Sequence, residues 1–321
     1  MSLPLIDYLL LVSETMTIRE KEIDKLDRAC REIGFFYLIN HDISKELIDD
    51  LMKVAQEYFD LPYEEKIKID ISKSINHRGY GAIGEENLEE GSKKDWKETF
   101  DMALNLDSHH PLVAKYPKMY GSNRYPDNSQ IVAVLKQYYE TAFIVSQNVL
   151  KAMALALKLN EHFFTQHFSD HVTALRMIHY PPRPDQSHDN GAGAHTDYGC
   201  ITLLLQDDIG GLQVKSRNDE WIDATPVEGS LVVNIGDLMQ RWTNDEYVST
   251  AHRVTASNKN SHRYSFPFFV EPDYETFVEC VESCQNSNNP AKYQGILSGD
   301  WIQSRFNATY SYLDKKDNEG D

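Results

Sequence analysis

The segment His195-Thr196-Asp197 sets an imidazole and a carboxylate two residues apart. On an extended chain, residues at that spacing face the same side, so both groups aim at one point. His252, in Ala251-His-Arg-Val254 after the turn residues Thr243-Asn244-Asp245, is the best-placed third donor. Two histidines and one carboxylate form the set that holds Fe(II) on one face and leaves three coordination positions open. Dioxygen chemistry needs such vacancies, two for a chelating co-substrate and one for O2. Zinc accepts the same donors, but no general base stands out beside them, so a zinc hydrolase is the weaker reading. A bare His-x-Asp recurs by chance in many chains, and its weight here comes from the Arg-x-Ser pair further along the chain.

Arg263-Tyr264-Ser265 begins eleven residues beyond His252. On a strand its guanidinium and hydroxyl share a face, which makes a receptor for a carboxylate deep in a pocket. Tyr180, on a strand preceding the metal donors, offers a further hydroxyl. Arg176 shares the face of Tyr180 by parity and is a candidate grip for a substrate carboxylate; the plainer alternative is an ion pair with an acid. Most other histidines, such as His109, His110 and His167, fall in polar or surface contexts and are not expected to bind metal.

These side chains need a frame. In the first half, Thr17 with Glu20 predicts a capping box for a helix carrying Ile23, Leu26, Cys30 and Ile33, closed by Gly34. Phe35 to Ile39 reads as a short buried strand. Ser44 caps a second helix with Leu47, Leu51, Val54, Tyr58 and Phe59 on one face, stopped at Pro62. Residues 72 to 126 hold no lasting period and read as functional loops. A long helix is expected from Ser129 to Leu159. From Thr173 onward short strands are expected at Leu175–Tyr180, Ile201–Leu205, Gly211–Val214, Ser230–Ile235 and Arg263–Val270, separated by Gly-, Asp- and Asn-rich turns. That spacing predicts a sandwich or jelly roll. Gly236 and Asp237 predict a tight turn and a helix cap, Trp221 and Trp242 are expected to pack under the roll, and Ala291 to Tyr312 reads as helical. The expected organisation is one integrated domain: a helical and mixed region at 1–125, a supporting helix at 126–170, a β core at 171–275 and a helical tail at 276–321.

Composition is compatible with this frame. The chain has 321 residues, 41% apolar and 26% charged, enough to bury a core without disulfides or structural metal. The net charge of −18, without a basic cluster, argues against nucleic acid as a partner. Four cysteines, Cys30, Cys200, Cys280 and Cys284, make no disulfide framework and suggest a reducing compartment. The N-terminus has neither a signal-peptide pattern nor a membrane span, so a cytoplasmic protein away from membranes is expected.

Taken together, the motifs resemble the isopenicillin N synthase-like branch of the Fe(II)/2-oxoglutarate oxygenases over nearly the whole chain. The resemblance rests on Pro4-Leu-Ile-Asp7, Ala29 to His41, Phe59 to Lys66 and Arg78-Gly-Tyr80, then on Gly193-Ala-His-Thr-Asp-Tyr198, Gly210-Gly-Leu-Gln-Val214, Asn234-Ile-Gly-Asp237 and His252-Arg-Val254. It implies a mainly β fold, a double-stranded β-helix (cupin-like jelly roll) with a helical N-terminal region and a C-terminal helix. It implies that His195, Asp197 and His252 ligate Fe(II), and that Arg263 and Ser265, helped by Tyr180, bind the far carboxylate of the co-substrate 2-oxoglutarate. The implied reaction consumes O2, converts 2-oxoglutarate to succinate and CO2 through a ferryl-oxo species, and oxidises a small organic substrate, by hydroxylation first of all. The chain departs from plant members at Ile178, where these often carry the Asn of Asn-x-Tyr. An oxidase of the same fold that does not use 2-oxoglutarate stays open, as does, more remotely, a non-catalytic binding protein. Substrate selection is expected from residues 77 to 110, the region of Arg124 and the C-terminal helix, with Trp96, Phe100, Phe268 and Phe269 hinting at a pocket.

Overall fold

The structure is a computed structural model, and it describes residues 2–85, 95–182, 190–255 and 261–309. The chain opens with β1 (Leu5–Asp7), a single turn α1 (Tyr8–Leu11), helix α2 (Met16–Glu32), β2 (Phe35–Ile39), helix α3 (Lys45–Phe59) and the short α4 (Tyr63–Lys66). Then come β3 (Gly79–Gly81), β4 (Glu98–Ala103), α5 (Pro111–Lys115) and the long α6 (Ser129–Ala156). The second half runs β5 (Ala174–Tyr180), β6 (Asn190–His195), β7 (Ile201–Gln206), β8 (Leu212–Lys215), β9 (Trp221–Asp223) and β10 (Ser230–Ile235). Helix α7 (Asp237–Trp242), β11 (His252–Thr255), β12 (Arg263–Val270), the two-residue strands β13 (Phe277–Val278) and β14 (Ile296–Leu297), and α8 (Ser298–Thr309) complete it.

The strands form two main sheets. The larger has the order β1-β2-β10-β7-β12-β5-β4-β3 and the smaller β6-β11-β8-β9. N-terminal strands thus occupy both flanks of the larger sheet, so the two halves of the sequence share one ladder. Strand parity divides the apolar side chains between two cores. One face of the larger sheet, with Leu175, Met177, Leu203, Leu231, Val233 and Phe268, packs on α2, α3 and α6. The opposite face, with Ile178, Tyr180 and Val232, meets Ala192, Leu212, Val214 and Val254 of the smaller sheet. This is the jelly roll, and its interior holds the site.

Helix α6 supports the roll because its period is right: Ile131, Leu135, Tyr138, Ala142, Val145, Val149 and Met153 are all buried. Burying each large apolar side chain is worth about 1.5–3 kcal/mol. Asn128 caps the helix through Gln130 and Ile131, and the helix ends at Ala156 rather than Leu159. Ser44 caps α3 as expected, accepting from Leu47 N. Gly34 has φ +71°, and a Cβ there would lie 2.0 Å from Val248 O, so only glycine lets the chain turn from α2 into β2.

Several local expectations need correction. Helix α2 starts at Met16 on Thr15, whose side chain makes no cap bond, so Thr17 lies inside the helix and the capping box does not form. The stretch from 72 to 126 contains the strands β3 and β4 and the short helix α5. Every residue of β4 is buried although its sequence is Glu-Thr-Phe-Asp-Met-Ala; Glu98 pairs with Lys66 and lies in hydrogen-bond contact with His179, and Asp101 pairs with Arg176. Of the expected C-terminal helix, Ser298–Thr309 is helical, residues 291–295 are not, and 310–312 lie outside the described residues. Trp242 is buried under the roll, whereas Trp221 is half-buried against the Arg253 guanidinium, 4.2 Å from its ring centroid. All four cysteines are free and buried. Among the described residues no helix is long and apolar enough to cross a membrane.

Candidate metal centre and co-substrate cavity

β6 and β11 are antiparallel neighbours, and their register pairs His195 directly with His252. Asp197 follows β6 by two residues and turns back toward both. His195 Nε2 lies 3.9 Å and His252 Nε2 3.6 Å from Asp197 Oδ1. The three donor atoms lie within 4.8 Å of one another, and among the described residues no other group of three or more metal-ligating side chains converges in this way. Two imidazole nitrogens and a carboxylate oxygen at this spacing fit one Fe(II), which favours mixed N and O donors with positions left open.

The surroundings hold each donor in its metal-binding form. His195 Nδ1 lies 2.8 Å from Gly193 O, and His252 Nδ1 lies 3.2 Å from Thr250 O. An N–H donated to those carbonyls leaves the Nε2 lone pairs directed at the centre. Asp197 Oδ2 accepts from Thr202 Oγ1 at 2.6 Å and from Asn234 Nδ2 at 2.7 Å, which leaves Oδ1 to a metal. Burial and the neighbouring His252 lower the His195 imidazole to about 4, so it is neutral at physiological pH. Burial alone would raise Asp197, but the two imidazoles and its hydrogen bonds hold the carboxyl below its ordinary value.

The loop carrying Asp197 is pinned from below. Asp237 N donates to Asp197 O at 2.7 Å, and the Asp237 carboxylate accepts from Thr196 Oγ1 and Ser249 Oγ. Asp237 is therefore the first residue of α7, capped by Gly236, and not the cap itself. A Cβ on Gly236 would lie 2.2 Å from Gly199 O; the close approach, not a left-handed turn, requires glycine there.

Arg263 and Ser265 stand on β12 facing the same cavity, with Arg263 1% exposed. The guanidinium donates from Nε to Gly210 O at 2.7 Å and from Nη1 to Ser265 Oγ at 3.3 Å. It also lies 4.7 Å from the Tyr180 ring centroid, and Tyr180 is its register partner on β5. So the structure brings Arg263, Ser265 and Tyr180 together, with Tyr180 presenting its ring to the guanidinium.

Arg176 also lines the cavity, and its Nε donates to Asp101 Oδ1 at 2.6 Å. Asp101 is its direct register partner on β4. The ion pair offered as the plainer alternative is therefore present. Arg124 takes no part: it donates to Asp70 O and Lys68 O, away from the cavity. Phe269 and, from α8, Phe306 line the cavity, while Phe100 and Phe268 belong to the helix-side core.

Three kinds of residue were given no role in the site by the sequence. Thr202 and Asn234 orient Asp197, and only the fold shows it. Arg78 lines the cavity, buried, donating to His77 O and Met119 O. Glu271 lines it too, 5% exposed. Burial pushes its carboxyl up to about 8, with Arg78 opposing and Asp197 adding to the rise. The parity that linked Arg263 to Ser265 continues through Pro267 and Phe269 to Glu271, so the signal for it was present.

Comparison with known proteins agrees with this geometry. Residues 3–128 match the family model of the non-haem dioxygenase N-terminal region in morphine synthesis, and residues 169–272 match that of the 2OG-Fe(II) oxygenase superfamily. A 2-oxoglutarate-Fe(II) type oxidoreductase of Emericella nidulans is 33% identical, over 96% of this chain and 90% of its own. A homoarginine-6-hydroxylase of Arabidopsis thaliana is 36% identical, over 95% and 93%. A full-length Neurospora crassa protein, crystallised in complex with alpha-KG and 5-formyluracil, superposes with a TM-score of 0.84 at 29% identity, covering 96% of each chain. Of the chemistries left open by the sequence, the 2-oxoglutarate-dependent one is carried in the name of the Emericella relative, and the Neurospora protein was crystallised with alpha-KG. The chain belongs to the 2OG-Fe(II) oxygenase superfamily and is a non-haem iron, 2-oxoglutarate-dependent oxidoreductase.

Proposed function

We propose that His195, Asp197 and His252 hold the iron, that Arg263 and Ser265 take the far carboxylate of 2-oxoglutarate with Tyr180 alongside, and that the enzyme hydroxylates a small organic molecule. The observation that carries this reading is the convergence of two imidazoles and one oriented carboxylate on a cavity that also holds a buried guanidinium. Bound iron supplies activation of O2 coupled to decarboxylation of 2-oxoglutarate to succinate and CO2.

The chain's own residues do the rest. Gly193 O and Thr250 O fix the imidazole tautomers, while Thr202 and Asn234 keep one carboxylate oxygen free for the metal. Arg263, already aligned by Gly210 O, meets an incoming carboxylate without reorganisation, which favours binding in a low-dielectric pocket. Ile178, Leu204, Leu212 and Val254 make the intervening wall apolar and keep water away from it. Arg176 belongs to the substrate side of the cavity, where a substrate carboxylate would share its guanidinium with Asp101.

Relatives are named for different substrates, homoarginine among them, and the Neurospora protein was crystallised with 5-formyluracil or with thymine. Selection therefore rests on the wall of each cavity. The test is aerobic incubation of the Fe(II)-loaded protein with 2-oxoglutarate, following succinate and O2. We expect succinate from the wild type and none from Asp197→Ala; equal succinate from both would remove these residues from the reading.

A further inference from the structure

β12 and the residue that follows it supply one wall of the cavity: Arg263, Ser265, Pro267, Phe269 and Glu271 all line it. Phe269 pairs with Thr202, the residue whose hydroxyl holds Asp197, so the metal donors sit level with Phe269. Arg263 and Ser265 lie on one side of that level. Glu271, just past the end of β12, lies on the other, two residues or about 6–7 Å further along the chain. The two ends of the wall are thus divided by the metal centre, and Glu271 stands at the end away from the proposed co-substrate carboxylate.

The placement of Glu271 is fixed while its carboxyl is left unused. Its N–H donates to Thr173 Oγ1 and its carbonyl accepts from the same hydroxyl, both at 3.1 Å. Its Cγ lies against Gly199, where a Cβ would come within 2.7 Å. Yet at 5% exposure the carboxyl makes no hydrogen bond or ion pair with any described residue. The other wall acids are engaged: Asp101 by Arg176 at 2.6 Å, and Asp197 by Thr202 and Asn234.

Arg78 is its counterpart. The guanidinium lines the same cavity and its charge acts on the Glu271 carboxyl, but the two do not form an ion pair. It spends one N–H on His77 O and one on Met119 O, both at 3.1 Å, and its Nε is left without a partner among the described residues. A buried acid and a buried donor kept apart in one cavity are costly unless a ligand satisfies both. A second cation at Glu271 would be repelled by Arg78, so the group that fits is an uncharged donor with an acceptor beside it.

Building on the proposed iron and 2-oxoglutarate sites, we infer that Glu271 is a specificity-determining residue that accepts a hydrogen bond from a neutral N–H of the substrate, whose neighbouring carbonyl faces Arg78. The substrate class is a cyclic amide or ureide.

The test compares uracil with 1,3-dimethyluracil, which has the same ring and no N–H. Binding is measured by calorimetry on the anaerobic protein loaded with Fe(II) and 2-oxoglutarate, for the wild type, Glu271→Leu and Glu271→Gln. In the wild type, uracil should bind about 10- to 100-fold more tightly than the dimethyl compound. Glu271→Leu should bind the two alike, and Glu271→Gln, which keeps a carbonyl acceptor, should recover part of the preference. Thermal unfolding of each variant shows whether it is folded. Wild-type protein that binds neither ring, or both equally, overturns the inference, as does a preference that survives in Glu271→Leu. Loss of 2-oxoglutarate binding in the wild type would instead count against the reading on which the inference rests.

Discussion

His195 and His252 are register partners on adjacent antiparallel strands, and each sets its Nδ1 against the carbonyl two residues before it in the chain. The strand geometry that makes them neighbours also selects the tautomer in which both Nε2 atoms can bind a metal. Replacing either with Ala should abolish saturable Fe(II) binding while the apoprotein stays folded. Fe(II) titration with a thermal-shift readout checks this: the stabilisation by Fe(II) seen in the wild type should vanish in His252→Ala and His195→Ala.

Asn234 and Thr202 have no route to the metal except through Asp197 Oδ2. Asn234→Leu should therefore weaken Fe(II) binding about 10- to 100-fold without removing a ligand. Thr202→Val should weaken it to a similar extent, because each substitution leaves one of the two bonds to that oxygen. Saturating iron should restore most of the turnover in both.

For the co-substrate end, Arg263→Leu should raise the KM for 2-oxoglutarate by about 100-fold, with a smaller effect on kcat. Arg263→Lys should recover little, because a point charge cannot keep the bonds to Gly210 O and Ser265 together. Tyr180→Phe keeps the ring under the guanidinium and should cost less than about tenfold. Succinate release as a function of 2-oxoglutarate concentration measures all three.

Acid should unfold the protein partly through His171. Burial lowers its imidazole from 6.5 to about 4, and the ring is stacked on Phe143 with centroids 4.1 Å apart. A depressed histidine contributes stability above its unfolded value that is lost as pH falls toward the folded one. The metal-free protein should therefore lose up to about 3 kcal/mol between pH 6.5 and 4 from this residue. His171→Phe should flatten that part of the pH–stability curve, as followed by urea unfolding.

The convergence of the candidate side chains was legible in the sequence where it depended on local parity. His195 with Asp197 and Arg263 with Ser265 need only a strand to share a face. His252 was reachable because donor type narrowed the choice. β4 was not legible, because Glu98 and Asp101 read as solvent-facing until Lys66, His179 and Arg176 arrive from distant parts of the chain to pair with them. β6 was equally quiet: Gly191, Ala192, Gly193 and Ala194 have little strand propensity, and pairing with β11 holds them extended. The misplaced capping box at Thr17 shows a local signal overridden by an earlier start at Met16. Asp237 resembled a cap because its bonds to Thr196 and Ser249 depend on the folded loop.

The most direct test of the central claim is an anaerobic titration of the Fe(II)-loaded protein with 2-oxoglutarate, following the weak visible charge-transfer band of the chelate. The account predicts a saturable band in the wild type, weakened in Arg263→Leu and absent in His252→Ala. Iron that binds without any such band at saturating 2-oxoglutarate would contradict it.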